Sequence, residues 1–148
     1  MLRRAFLAVF TMMLATLGAS AFAGELSGTW SGSYICAQGE TALQLTMVES
    51  DDQSGRLEAE FAFGALPENP NVPSGRFSMR GYYDARSGAV RLYAVRWLER
   101  PEGYEVVHLI GRLRRSSIGD EIAGEVAFPA APGACTVFRV TRRPALIS

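Results

Sequence analysis

Short runs of alternating apolar and polar residues dominate residues 24–148, and helical periodicity is almost absent. A period of two places successive side chains on opposite faces of a strand. In the third run, for example, Leu57 and Phe61 share one face and Glu58 points to the other. Gly, Pro, Asp and Ser residues, which favour turns, separate the runs. Eight runs are predicted as strands, at Leu26–Cys36, Thr41–Val48, Arg56–Phe63, Gly75–Tyr83, Ala89–Leu98, Tyr104–Leu113, Glu121–Phe128 and Ala134–Arg142.

The number and spacing of these runs predict an all-β fold. Eight short strands joined by short connections favour an antiparallel meander, in which each strand pairs with the next. A flat sheet of eight strands would leave two unpaired edges and one bare apolar face, and closure into a barrel removes both problems. We therefore expect an eight-stranded antiparallel up-and-down barrel, with a two-sheet β-sandwich as the alternative.

The first 23 residues are typical of a secretory signal peptide. Arg3 and Arg4 give a positive start, and residues 5–17 form an apolar run too short to span a bilayer comfortably. Ala21-Phe22-Ala23 fits the small–x–small cleavage pattern. Cleavage there would leave residues 24–148 as a single barrel domain in the periplasm or outside the cell. We expect no transmembrane anchor, because no later apolar stretch is long enough to cross a membrane.

Composition narrows the possible functions. The 15 basic and 15 acidic residues balance, and residues 24–148 keep 13 arginines and all 15 acidic residues, for a formal charge of −2. Such a chain is not expected to bind nucleic acid through its net charge. One histidine and two cysteines are too few for a standard zinc or iron–sulfur site, so we expect no metal and no cofactor.

The two cysteines, Cys36 and Cys135, are predicted to form a disulfide. An isolated pair in an exported protein is most simply oxidised, and this pair lacks the C-x-x-C spacing of redox-active thiols. Cys36 ends the first predicted strand and Cys135 lies at the start of the last, so a closed barrel would set them side by side. The bond would close a loop of about 100 residues, worth up to roughly 4–5 kcal/mol in the chain-entropy model.

The connections at the two ends of the predicted barrel differ in composition. Six of the seven prolines fall in the connections at one end, residues 37–40, 64–74, 99–103 and 129–133. Because proline fixes φ and removes a donor, these loops should form a stiff rim, and rigid loops often bind partners. The candidate binding residues on or beside this rim are Gln38, Pro67, Asn69, Asn71, Trp97, Arg100 and Tyr104. Alternatively, the prolines only block strand extension and the aromatic residues only cap the core.

Gly28-Thr29-Trp30 on the first predicted strand resembles the G-x-W motif of the calycins, the group of barrels that includes lipocalins and avidins. In that group the tryptophan closes one barrel end and an arginine from the last strand packs over it. The register implied by the disulfide places Thr141 opposite Trp30, with Arg139 and Arg143 diagonal to it on the same face. The resemblance therefore implies that Arg139 or Arg143 stacks on Trp30 at the barrel base.

Four longer segments look like a small exported bacterial domain that also occurs fused to caspase-like peptidases. The segments are Trp30–Gly39, Glu68–Pro70, Pro73–Gly75 and Arg100–Tyr104. This resemblance implies export, the disulfide and the motif loops, but it assigns no catalytic residue. The chain lacks the ligand residues of lipocalins and avidins, so neither lipid nor biotin binding follows from the calycin resemblance.

Candidate catalytic residues are sparse. His108 is the only histidine and falls within a predicted strand, where no nucleophile–base pair can be built around it. Glu58 and Glu60 share one face, but Arg76 and Arg80 on the next strand face the same way, which favours cross-strand ion pairs. We therefore do not expect an enzyme, and an uncharacterised hydrolase is the least favoured alternative.

These observations favour an exported, non-catalytic binding domain that contacts a protein or cell-envelope partner through the proline-rich rim. Two alternatives remain. One is a carrier of a small apolar ligand of the lipocalin type, since an eight-stranded barrel is just wide enough to hold one. The other is an inhibitor of a host hydrolase such as lysozyme, which would insert a rim loop into the cleft of the enzyme.

Overall fold

A computed structural model describes residues 24–142, so the predicted signal peptide, residues 1–23, and Arg143 lie outside the described residues. The long elements in this range are all β-strands, and no helix within it is long and apolar enough to cross a membrane. The strands are β1 (Gly28–Cys36), β2 (Gly39–Glu49), β3 (Arg56–Gly64), β4 (Gly75–Asp84), β5 (Ala89–Glu99), β6 (His108–Arg114), β7 (Asp120–Ala127) and β8 (Val137–Arg142).

The eight strands form a closed barrel in which each strand pairs antiparallel with its neighbours in sequence, and β1 also pairs with β8. The predicted up-and-down barrel is therefore confirmed. The sandwich alternative is wrong, because one continuous sheet closes on itself. Cys36 and Cys135 form a disulfide at the seam, where β1 ends and the chain approaches β8. Closure pairs both terminal strands and so removes the edges that an open sheet would expose.

Alternating residues of the strands point into the barrel and fill it. Phe61 and Phe77 stack with ring centres 4.6 Å apart, and the Tyr34 ring meets Phe61 edge-on at 5.1 Å. These side chains, like that of Trp30, are almost completely buried. Aromatic rings bury a large apolar area, so this cluster forms the part of the core that holds the strands together towards the rim.

Two strand glycines allow neighbouring strands to approach closely. A side chain on Gly32 would collide with the backbone carbonyl of Arg139 on β8, and one on Gly81 would collide with that of Arg91 on β5. Glycine at such positions lets a strand bend sharply, which a small barrel needs in order to close.

β5 and β6 separate near the proline-rich end, which makes β6 shorter than predicted. Only residues 89–92 of β5 pair with β6, which begins at His108 rather than at Tyr104. Residues 104–107 instead form an irregular segment, and a hydrogen bond from Arg100 to the Tyr104 carbonyl holds its start. The predicted sixth run therefore contains a loop followed by a strand.

Of the two predicted stacking partners of Trp30, Arg143 lies outside the described residues and the prediction for Arg139 is wrong. Ser31, not Trp30, lies opposite Thr141, so the register differs from the expected one by a single residue. Because side chains alternate, this difference turns Arg139 to the outer face, where its side chain is 70% exposed. Arg142 takes the inward position instead, and its guanidinium lies 4.3 Å from the centre of the Trp30 ring.

Candidate functional site

The proline-containing connections lie together at one end of the barrel, which we call the rim. The rim comprises residues 37–38, 65–74, 100–107 and 128–136, which join β1 to β2, β3 to β4, β5 to β6 and β7 to β8. Six of the seven predicted binding residues lie in these loops, and Trp97 lies at the adjoining end of β5. The opposite end of the barrel is closed by Leu26 and Trp30, both fully buried.

Asn69 anchors the longest rim loop to the β1–β2 hairpin. Its side-chain amide donates hydrogen bonds to the backbone oxygens of Gln38, at 2.8 Å, and Glu40, at 3.0 Å. Val72 in the same loop is buried and packs against the core. The loop is therefore held at two points of its length, although no strand runs through it. A loop ordered in this way loses less conformational entropy when it binds a partner.

Exposed side chains surround these two anchors. Pro67 and Glu68 precede Asn69, and Pro70 and Asn71 follow it, and all four are exposed to solvent. The prolines restrict the backbone of this segment, so the exposed groups keep a defined position relative to the barrel. Pro67 and Asn71 are thus available for contact, whereas the Asn69 amide is already engaged within the rim.

Arg100 fixes the second projecting loop. Its Nε donates to the Tyr104 carbonyl oxygen at 3.0 Å, and a terminal nitrogen donates to a Glu105 carboxylate oxygen at 2.7 Å. The guanidinium also lies 5.8 Å from the centre of the Trp97 ring, at the outer limit of a cation–π contact. Arg100 therefore binds groups of its own loop, and its role in the described structure is to shape the rim.

Trp97 and Tyr104 pack against the upper core rather than projecting into solvent. The Tyr104 ring stacks on Phe63 with ring centres 5.3 Å apart, and Trp97 meets Phe77 edge-on at 5.2 Å. Both side chains are only partly buried, so one side of each remains accessible. These two residues close the barrel opening, as the structural alternative for the aromatic residues anticipated, and they form the floor of the rim.

A cavity of about 270 Å³ opens on the rim beside the disulfide, and its lining includes Tyr34, Gln38, Tyr104, Val107, Phe128, Cys36 and Cys135. Gln38 Nε2 donates to the Tyr34 hydroxyl at 3.3 Å and to Thr41 Oγ1 at 3.1 Å. Burial, with a smaller contribution from nearby Tyr104, raises the pKa of the Tyr34 phenol. Tyr34 therefore stays neutral at ordinary pH and serves this cavity as a hydrogen-bonding group.

The rim carries unneutralised negative charge. Glu68 and Glu102 in the rim, and Glu40 beside it at the start of β2, are exposed and take part in none of the ion pairs among residues 24–142. The other two carboxylates at this end, Glu99 and Glu105, each pair with an arginine. The rim loops, with Glu68, Glu102 and Glu105 against Arg100 alone, therefore carry net negative charge, which would attract cationic groups on an approaching molecule.

The residues considered for catalysis have structural partners. His108 Nδ1 accepts a hydrogen bond from the Ala94 backbone N–H at 3.0 Å, at the point where β5 and β6 separate. Glu60 pairs with Arg76 at 3.3 Å and Glu58 approaches Arg80 at 3.7 Å, as the cross-strand interpretation predicted. Within residues 24–142, no group of three or more His, Cys, Asp or Glu side chains could hold a metal ion.

The sequence predicts the position of the rim, but the acidic residues on and beside it were not predicted as binding residues. Glu40, Glu68 and Glu102 were not among the candidate residues, although counting the carboxylates at each end of the predicted barrel would have found them. The role of His108 had no such signal, because it depends on the separation of two strands. Comparisons with protein-family models, with curated proteins and with solved structures find no match.

Proposed function

We propose that this protein is an exported, non-catalytic binding domain whose acidic rim contacts a basic protein partner. The observation that carries the proposal is the placement of three unpaired carboxylates, Glu40, Glu68 and Glu102, around loops that the protein itself orders. Asn69 and Arg100 supply that order through hydrogen bonds within the rim. The proposal includes a cell-envelope protein as the partner, provided that its contact surface is basic.

Charge and stiffness would act on different steps of binding. Carboxylates on the rim would speed encounter with a basic surface and set its orientation. Loops that are already ordered would lower the entropy lost in the complex, which slows dissociation. Pro67 and Asn71, exposed beside Glu68, would provide contacts that charge alone does not.

Export is supported by the disulfide and by the residues that precede the barrel. A disulfide between Cys36 and Cys135 is compatible with an oxidising compartment such as the periplasm or the cell exterior. Residues 1–23 have the charged start, apolar run and small–x–small ending of a signal peptide. The G-x-W resemblance to calycins is compatible with the barrel and adds no partner to the proposal.

Inhibition of a basic hydrolase such as lysozyme is the second candidate function. It is favoured by the loop at residues 65–74, which carries Glu68 between two exposed prolines and would meet the basic surface beside the cleft of such an enzyme. The carrier alternative has less support, because stacked aromatic rings such as Phe61 and Phe77 fill the lumen towards the rim. The cavity at the rim, of about 270 Å³, is just below the usual size range of small-molecule sites.

The test is direct binding of lysozyme, used as a basic hydrolase, and of polylysine, used as a shapeless cation. We compare the native protein, expressed from the full chain, with Glu40→Gln/Glu68→Gln/Glu102→Gln. The matched control, Glu58→Gln/Glu60→Gln/Glu125→Gln, removes the same charge from the outer wall of the barrel. We expect the rim variant to weaken lysozyme binding about tenfold or more, equivalent to about 1.4 kcal/mol, and the wall variant to change it little.

Two results would count against the proposal. Equal loss of affinity in the rim and wall variants would mean that only net charge matters. Failure of the native protein to bind any basic protein would remove the proposed partner class. Loss of lysozyme activity on addition of the native protein, but not of the rim variant, would favour the inhibitor over a simple binding domain.

A further inference from the structure

The outer face of β4 and β5 carries a regular alternation of tyrosine and arginine. Arg80 on β4 lies directly opposite Tyr93 on β5, and Tyr82 lies directly opposite Arg91. Directly opposed residues on one face of an antiparallel pair have Cβ atoms about 4.5–5.5 Å apart. The four side chains therefore form a two-by-two pattern, with each tyrosine flanked by arginines along the strand and across it. We call these residues the wall patch.

The tyrosines of the wall patch are unusually accessible. Tyr82 is 62% exposed and Tyr93 is 43% exposed. A groove of about 630 Å³ runs beside them, and its lining also includes Val48, Leu57, Val95, Arg80 and Glu58, but neither Arg91 nor Arg96. Adjacent aromatic and apolar side chains in a surface groove are typical of a binding surface.

The wall patch also carries positive charge. Arg91 is exposed and takes part in none of the ion pairs among residues 24–142, and the same holds for Arg96, which lies just outside the patch opposite Ser78. Arg80 does approach Glu58, but at 3.7 Å and with both side chains more than 70% exposed, so water screens that attraction strongly. The charge of this wall is thus opposite to that of the rim, although the chain as a whole is nearly neutral.

We propose that the wall patch binds an acidic polysaccharide whose sugar rings carry carboxylates. Tyrosine offers a flat apolar face on which a sugar ring can stack. A guanidinium pairs with a carboxylate through two parallel hydrogen bonds. Single arginines alternating with single tyrosines suit a polymer that presents one charge for each ring, whereas a phosphate cluster would favour arginines that converge on one point.

Single-stranded nucleic acid also combines flat rings with negative charge, and stacking on aromatic side chains is a common way to bind it. The disulfide favours the polysaccharide, because a stable disulfide is expected in compartments that contain cell-surface glycans rather than nucleic acid. A second copy of the chain is a further possible occupant, since the patch lies on a sheet face. Both of these occupants are outcomes that the experiment separates.

The experiment titrates protein expressed from the full chain with polygalacturonate, with neutral dextran and with oligothymidine. Four variants are compared: Arg91→Gln/Arg96→Gln, Tyr82→Ala/Tyr93→Ala, Tyr82→Phe/Tyr93→Phe and Arg139→Gln. Arg139 is an exposed arginine on another wall of the barrel, so its variant shows the effect of removing one positive charge away from the patch. Far-ultraviolet circular dichroism and the thermal midpoint verify that each variant is folded.

We expect native protein to bind polygalacturonate and not dextran. Affinity should fall about tenfold or more in the Arg91/Arg96 and Tyr→Ala variants, and stay within about twofold in the Tyr→Phe and Arg139 variants. The proposal is overturned if polygalacturonate does not bind, if oligothymidine binds equally well, or if only the arginine variant loses affinity. It is also overturned if the protein forms a dimer that the Tyr→Ala variant disrupts, because the patch would then be a self-association surface.

Discussion

The Arg142 guanidinium lies over the Trp30 indole and joins the last strand to the segment that closes the barrel base. Its central carbon is 4.3 Å from the ring centre, and its terminal nitrogens donate to the backbone oxygens of Ser27, at 2.8 Å, and Glu25, at 2.7 Å. The Trp30 ring nitrogen in turn donates to the Leu26 carbonyl oxygen at 3.0 Å. One arginine therefore contacts both the buried tryptophan and the turn that covers it.

Removing Arg142 should destabilise the barrel from its base. Arg142→Ala loses the cation–π contact and several charge-assisted hydrogen bonds, so we expect about 2–3 kcal/mol of lost stability in urea unfolding. Arg142→Lys should recover only part of it, because an ammonium cannot reproduce the planar contacts of a guanidinium. Arg139→Ala, at the exposed position, should change stability by less than about 0.5 kcal/mol. Equal effects at the two positions would contradict the observed register.

His108 should act as a hydrogen-bond acceptor between separating strands. His108→Ala leaves the Ala94 N–H without its partner, so we expect about 1–2 kcal/mol of lost stability and faster hydrogen exchange at the Ala94 amide. His108→Asn keeps a side-chain acceptor and should restore part of the protection. Amide exchange followed by NMR measures both. Unchanged exchange at Ala94 in the alanine variant would show that the hydrogen bond contributes nothing.

The disulfide should stabilise the barrel mainly through the unfolded chain. Cys36 and Cys135 are 99 residues apart in sequence, and in the chain-entropy model a loop of about that size is worth nearly 5 kcal/mol. We therefore expect reduction with a thiol to lower the urea midpoint sharply. Cys36→Ala/Cys135→Ala should start from that lower stability and be insensitive to thiol. A native protein whose unfolding is the same with and without thiol would contradict the pairing.

The Tyr34 hydroxyl should make stability fall at alkaline pH. Burial raises its pKa above the ordinary value of 10.0, so the folded state holds the proton more tightly than the unfolded state. The corresponding stability is fully present below pH 10.0 and is lost as the pH rises above it. Tyr34→Phe removes this group, and its unfolding free energy should decline less with alkaline pH than that of the native protein. Tyr83, whose pKa burial also raises, accounts for part of the remaining decline. Parallel pH profiles for the two proteins would contradict this role.

The barrel and its seam followed from the sequence because they depend on local pattern. Alternating apolar and polar residues identify the strands, and short connections make consecutive strands neighbours. The cysteine pair, with Cys36 at the end of the first strand and Cys135 near the start of the last, indicates that these two strands close the sheet. None of these steps requires knowledge of side-chain packing.

The register between β1 and β8 could not be predicted from the sequence, because a disulfide does not fix how the two strands are aligned. Two cysteines can bond across a range of Cα separations, so the bond identifies neighbouring strands without requiring the two residues to face each other directly. Extending the observed register by two residues from the pair Tyr34 and Phe138 sets Cys36 beside Thr136 rather than Cys135. Because of this one-residue difference in register, Arg142 rather than Arg139 lies over Trp30 at the barrel base.

The rim residues divide into groups that their sequence positions do not distinguish. Pro67 and Asn71 are exposed, whereas Asn69 and Arg100 bind other parts of the rim. Trp97 lies under the rim because bulges in β5 shift its pairing with β4 and turn its ring towards Phe77. Whether a rim residue is exposed or bonded depends on which loops contact each other in the folded protein. The alternation of apolar and polar residues along the chain does not predict those contacts.

The most direct test of the proposed rim function is NMR mapping of the contact surface. Uniformly labelled protein is titrated with unlabelled lysozyme at low salt, and backbone amide shifts are followed for every assigned residue. We expect the changes to fall in residues 37–40, 65–74 and 100–107 and to diminish as salt is added, with the turns at the Trp30 end unaffected. Changes centred on the Trp30 end or on the outer wall, or no changes with any basic protein, would contradict the account.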